Sequence, residues 1–241
     1  MSPLFILIGC GRSDDAQKIV DKAIRAHGGD LYDRMYLEFD FRGRQYTAKR
    51  KNGLFTYTRE FEDSSGRVKD ILTNNHFVRT VNGDTVNLAE KKAEAYKNSV
   101  NSVIYFALLP QALNDPSVIK ELLGETRINH RYYYKIKVTF EEKGGGKYHE
   151  DVFIYWFDKE NFSMDYFAYL FFSDGGGIRF REAIDTKKIK GIVLSDYKNY
   201  ALNDVAFDIT SIDSLYLNGR MDLLSEIHLE NVNLILLDDE K

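Results

Sequence analysis

His149, Glu150 and Asp151 form the densest titratable group in the sequence. Such a trio offers a metal ligand, an acid and a base, but a metal needs ligands spaced to converge, and no second histidine stands at ligand spacing. Their place just before an apolar run suits the shoulder of a hairpin, and both readings stand. Arg179 and Arg181 share one face of a strand and Glu182 lies on the other. Pointing inward, the two arginines would hold a carboxylate or phosphate head group; pointing outward, they are ordinary surface. The serines lack the strand–turn–helix setting of a nucleophile elbow, and the lysines lack the alternation of strand and helix that a Schiff-base barrel shows. No catalytic residue, metal or cofactor is therefore assigned, and the chain reads as non-enzymatic, with a hydrolase centred on His149 or Asp151 as the lesser alternative.

Cys10 is the only cysteine, which excludes an intrachain disulfide, and it ends the short apolar run Leu4-Phe5-Ile6-Leu7-Ile8-Gly9. A small residue before a cysteine that closes an apolar run has the form of a bacterial lipobox. Cys10 would then be lipidated, residues 1–10 would be the remnant of a signal peptide, and membrane attachment would run through Cys10. The run is shorter than an ordinary signal and lacks a positively charged start, which a start codon upstream would explain. A buried cysteine on an apolar N-terminal strand is the alternative. No other run approaches the roughly 20 apolar residues a membrane span needs. Arg42, Arg44, Lys49, Arg50 and Lys51 crowd one region, but acids balance them and the net charge is −4. That pattern fits a solvated sheet face and excludes a nucleic-acid partner.

These residues must be positioned by strands. Residues 132–140 alternate, and the runs 152–157 and 166–172 are apolar on both faces, so both sides of the sheet are covered there. Gly144-Gly145-Gly146 and Gly175-Gly176-Gly177 precede strands rather than helices, which favours hairpin turns over phosphate-cradling loops. The aromatic density is either core packing or the lining of an apolar cavity on a concave face, built from Tyr155 or Trp156, Tyr166 or Tyr169, and Phe180. Residues 35–88 read as an antiparallel meander with turns at Asn52-Gly53, Ser64-Ser65-Gly66, Asn74-Asn75 and Asn82-Gly83-Asp84. Ahead of it, Ser13 caps a helix striped by Ala16, Ile19, Val20, Ala23 and Ile24 that stops at His27-Gly28-Gly29.

A second helix spans residues 90–109 and ends at Pro110; its later half, including Tyr105 and Phe106, is apolar all round and predicts burial on every side across the concave face. Asn98, Ser99, Asn101 and Ser102 are either exposed helix surface or a polar lip on the cavity. A short helix is expected over 117–123, closed by Gly124, a strand over 191–200 and a final strand over 223–229. No repeat or Pro/Ser linker breaks residues 11–241, so one domain is the economical reading.

His27-Gly28-Gly29, the run from Ser99 to Pro110, the segment from Tyr133 to Phe140, and the run from Gly175 to Ala183 together resemble a family of Bacteroidota envelope lipoproteins of unknown function. The resemblance covers nearly all of the chain after Cys10 and is similar in layout to the LolA/LolB lipoprotein carriers. It implies an α+β fold, a strongly curved antiparallel half-barrel wrapped around helices, at the outer membrane of the cell envelope. Lipid or lipoprotein handling is implied by fold analogy alone. The expected function is binding of a hydrophobic ligand, whether lipid, acyl chain or lipoprotein anchor, between sheet and helix by Tyr105, Phe106, Tyr155, Trp156, Tyr166, Tyr169, Arg179, Phe180 and Arg181. A structural subunit that holds an envelope protein partner is the alternative.

Overall fold

The computed structural model describes residues 10–143 and 149–237. The expected turn at Gly144-Gly145-Gly146, the apolar run before Cys10 and the charged tail at 238–241 lie outside the described residues. Helix α1 (Cys10–His27) precedes a meander of β1 (Arg34–Phe41), β2 (Arg44–Lys51), β3 (Leu54–Asp63), β4 (Gly66–Thr73), β5 (Phe77–Val81) and β6 (Asp84–Thr85). Helix α2 (Glu90–Ala107) follows, then β7 (Val118–Ile128), β8 (Arg131–Phe140), β9 (Val152–Asp158), β10 (Met164–Phe171), β11 (Gly177–Ile189) and β12 (Ile192–Leu202). Helix α3 (Ile212–Leu217), β13 (Asp222–Ile227) and β14 (Glu230–Leu236) complete the chain. The strands form two seven-stranded sheets, ordered β14-β1-β2-β3-β4-β5-β6 and β13-β12-β11-β10-β9-β8-β7. All the strand pairings given by register are antiparallel, so the α+β class with antiparallel sheets stands.

The meander follows from its turns. Asn52 and Asn82 take φ of 53°, each followed by a glycine also at positive φ, which is the two-residue geometry that matches the strand twist. The contacts group into two compact units built from interleaved segments: residues 10–26, 113–185 and 197–227 in one, and 27–112, 186–196 and 228–237 in the other. In the second unit α2 packs on β3, β4 and β5, and Val100 and Ile104 join Phe39, Tyr57 and Leu72 in its core. In the first, Ile209, Ile212 and Leu215 close over a sheet face carrying Ile154, Trp156, Ala168 and Phe180. Residues 153–157 are all buried, as an apolar run on both faces requires.

Four expectations are corrected. Residues 118–128 form a strand, not a helix: they pair with β8 from Val118↔Phe140 to Ile128↔Arg131. Gly124, at φ 129°, marks the register shift of a bulge rather than a helix end. Helix α1 begins at Cys10, so Ser13 lies inside it and is no N-cap. The end of α2 is not buried all round: Val103, Tyr105, Phe106 and Ala107 are half-buried while Ile104, Leu108 and Leu109 are buried, so one stripe faces the core. The expected last strand resolves into β13 and β14, with α3 before them.

Candidate functional site

The alternation of the central strands sorts the candidate residues onto two faces. Register places Trp156 opposite Tyr166, Tyr166 opposite Glu182, and Ala168 opposite Phe180. Tyr155, Tyr169, Arg179 and Arg181 fall on the other face, where Phe167 pairs Tyr155 and Arg181, and Tyr169 pairs Phe153 and Arg179. On that second face the rings are stacked, with Phe153 against Tyr169 at 5.4 Å and Tyr155 against Phe167 at 5.9 Å. Arg181 lies over Phe167 at 5.3 Å and its guanidinium donates to the Tyr169 hydroxyl at 3.2 Å; Arg179 lies over Phe171 at 4.9 Å. The arginines thus extend an aromatic ladder by cation–π contact. Tyr105 and Phe106, edge to face at 5.5 Å, belong to α2 in the second unit.

The face with Trp156, Tyr166 and Phe180 carries the candidate site. Phe180 is its hub, within 5.4 Å of Trp156, 5.8 Å of Tyr166 and 4.5 Å of Tyr216, ring centre to ring centre. Tyr216 comes from α3 and meets Tyr200 of β12 at 5.4 Å, nearly perpendicular. Helix α3 is held in place at both ends. Before it, the Asp208 carboxylate accepts from the Thr210 amide at 3.0 Å. After it, Gly219, at φ 63°, donates to the Tyr216 carbonyl and Arg220 donates to the Leu215 carbonyl, the paired bonds of a Schellman stop. Inside the unit Lys135 donates to both Asp213 carboxylate oxygens, at 2.9 and 2.8 Å, and to the Thr210 carbonyl, while lying 5.3 Å from the Trp156 ring.

Tyr200 donates to Glu182 at 3.1 Å, and the Tyr216 hydroxyl also hydrogen-bonds Glu182. Burial first, then the Glu182 charge, pushes the Tyr200 hydroxyl up to about 12 and holds Tyr216 still higher. These phenols are therefore donors at neutral pH and far from the range a general base needs. Tyr200 and Tyr216 line a cavity of about 250 Å³ together with Asn129, Leu217, Gly219 and Met221. Leu217 is 45% exposed, and Leu223, directly across from Tyr200 in register, is 53% exposed. The lining of the cavity thus combines two tyrosines of the ring cluster with Asn129 and the apolar side chains of Leu217 and Met221.

Of the residues expected to bind ligand, Trp156, Tyr166 and Phe180 lie on the face that adjoins this cavity, whereas Glu182, Tyr200 and Tyr216 on the same cluster were not among them. Tyr200 was legible, since it sits in an expected strand; Tyr216 was not, because a six-residue helix carries too few turns for a periodic signal. At the titratable trio, His149 and Glu150 lie in a turn. Asp151 is raised to about 6 by burial and by the Glu150 charge, against an amide bond from Phe172. Among the described residues no three His, Cys, Asp or Glu side chains converge to hold a metal. No helix among them is long and apolar enough to cross a membrane.

Several solved structures show similarity. One is a DUF1329 family protein from Desulfovibrio piger, 15% identical, covering 76% of this chain and 85% of its own at a TM-score of 0.48. Another is a LolA superfamily protein from Nitrosomonas europaea, 12% identical, covering 94% of each chain at a TM-score of 0.48. No curated protein matches the sequence. Residues 4–231 match the family of unknown function DUF6503, and the chain belongs to that family.

Proposed function

We propose that the protein is a non-enzymatic binding protein of the cell envelope, anchored through a lipidated Cys10, that takes an amphiphilic ligand at the Tyr200–Tyr216 cavity. The observation that carries the reading is the combination of that cavity with exposed Leu217 in its lining and exposed Leu223 across the register from Tyr200. Isolated exposed leucines are ordinary, but apolar side chains rimming a concave site with convergent hydroxyls are the usual composition of a ligand pocket. Size decides how much of a ligand enters. Whole drug-sized ligands occupy roughly 300–1,000 Å³, so a cavity of about 250 Å³ accepts one end of an amphiphile. The apolar remainder would lie along the rim.

The helix that closes this site is α3 rather than the 90–109 helix expected from sequence. Leu217→Asp tests the assignment without touching the core, because Leu217 is exposed. Uptake of an environment-sensitive acyl probe should fall about tenfold, corresponding to about 1.4 kcal/mol, with the melting temperature unchanged. Equal uptake by the variant and the unaltered protein would place the ligand elsewhere or remove it.

A further inference from the structure

Glu182 has an uncommon setting. Its partners are hydroxyls, from Tyr200 at 3.1 Å and from Tyr216, and no cation among the described residues pairs with it. The buried cation of the same cluster, Lys135, is already committed to both oxygens of Asp213 and to the Thr210 carbonyl. Lys135 is thus balanced by Asp213 and Asp165 has Arg131 beside it, whereas Glu182 is a carboxylate with hydroxyl partners alone. Two hydroxyl donors leave acceptor positions on a carboxylate, which has about four lone-pair sites. Around it stand the rings of Tyr166, Phe180, Tyr200 and Tyr216, each with an electron-rich face. Excess negative charge beside several aromatic faces attracts a cation and repels an anion.

Building on the proposed binding function, the geometry points to an ammonium group, primary or quaternary, as the end of the ligand that enters this cavity. The volume of about 250 Å³ is ample for a small alkylammonium head together with the first carbons of its chain. Tyr200 and Tyr216 line the cavity, and Glu182 lies one hydrogen bond beyond both. Asn129 supplies a carboxamide at the rim, already donating to the Tyr166 hydroxyl at 3.5 Å. The cation would be held by ring faces and by the carboxylate field, with its chain running out over Leu217 and Leu223.

Three probes of equal chain length separate this inference from the reading beneath it: octyltrimethylammonium, octanol and octanoate, titrated below micelle formation. Trp156, the single tryptophan, reports through its fluorescence because it contacts Phe180. The cation should bind about tenfold tighter than octanol, octanoate should bind weakest, and Glu182→Gln should remove most of the cation's advantage while leaving octanol within about twofold. The Gln carboxamide oxygen still accepts from the tyrosines, and the three-probe ranking on the unaltered protein stands without the variant. Octanol or octanoate binding as tightly as the cation would overturn the ammonium assignment and leave the binding function standing. Failure of all three to bind would overturn both.

Discussion

At Asp70 two guanidinium groups converge on one carboxylate with no exposed surface: Arg59 donates to it at 2.8 and 2.6 Å, and Arg79 at 2.6 and 2.9 Å. A further Arg59 donor reaches the Ser99 hydroxyl on α2 at 2.7 Å, so one of the polar residues read as surface or lip binds the sheet instead. Removing a buried charge leaves its partners uncompensated, which costs far more than the pair contributes net. Asp70→Ala should therefore lose about 3–5 kcal/mol of stability in denaturant melts; a loss below about 1 kcal/mol would mean that water reaches the arginines. The cluster was legible in outline. The turns at 64–66 and 74–75 fix the register that sets Arg59 opposite Asp70 and Asp70 opposite Arg79, but burial of that face depends on α2, which strand alternation does not reveal. Asp151 yields a pH dependence of definite sign. Its folded value of about 6 lies above the ordinary carboxylate value of about 3.9, so the folded state binds the extra proton and stability falls as pH rises from about 4 to 6. Asp151→Asn should raise the melting temperature at pH 7.5, with the gain shrinking toward pH 4. A gain of equal size at both values would show that Asp151 does not titrate in this window.

At the scale of elements, α3 decides whether the cavity exists, because it delivers Tyr216 and Leu217. Its stop requires a left-handed residue at Gly219, and a Cβ there would meet no atom within 4 Å. Replacement by alanine thus has a conformational cost alone, on the order of 1 kcal/mol. Gly219→Ala should lower stability by about that amount and weaken probe binding, while Gly219→Asn, better suited to the left-handed region, should do less of both. Unchanged binding in Gly219→Ala would separate the helix end from the site. Other elements show where sequence reasoning holds. The meander and the central strands were readable because Asn-Gly turns and two-sided apolar runs act locally. The strand over 118–128 was misread because Asp115-Pro116 and Gly124 look like helix punctuation. Pairing along the length of β8 outweighs those local signals.

For the whole molecule, the two units interleave along the chain, and the hairpin tip at 186–196 counts with the second unit although β11 and β12 continue in the first. No single cut in the sequence separates them, which is why no linker was visible. Cys10 is the first residue of α1, so acylation there would attach lipid directly to the start of a helix. In a chain given a complete signal peptide, Cys10→Ala should move the protein from the membrane to the soluble fraction; retention in the membrane fraction would remove the lipid anchor from the account. Everything proposed for this molecule turns on whether it binds an amphiphile at the Tyr200–Tyr216 cavity. The most direct test is native mass spectrometry, with lipid extraction, on protein purified from the envelope without detergent. A stoichiometric bound amphiphile is expected, with its occupancy reduced in Leu217→Asp. A bare protein mass that takes up no added amphiphile would contradict binding and leave these aromatic residues as core.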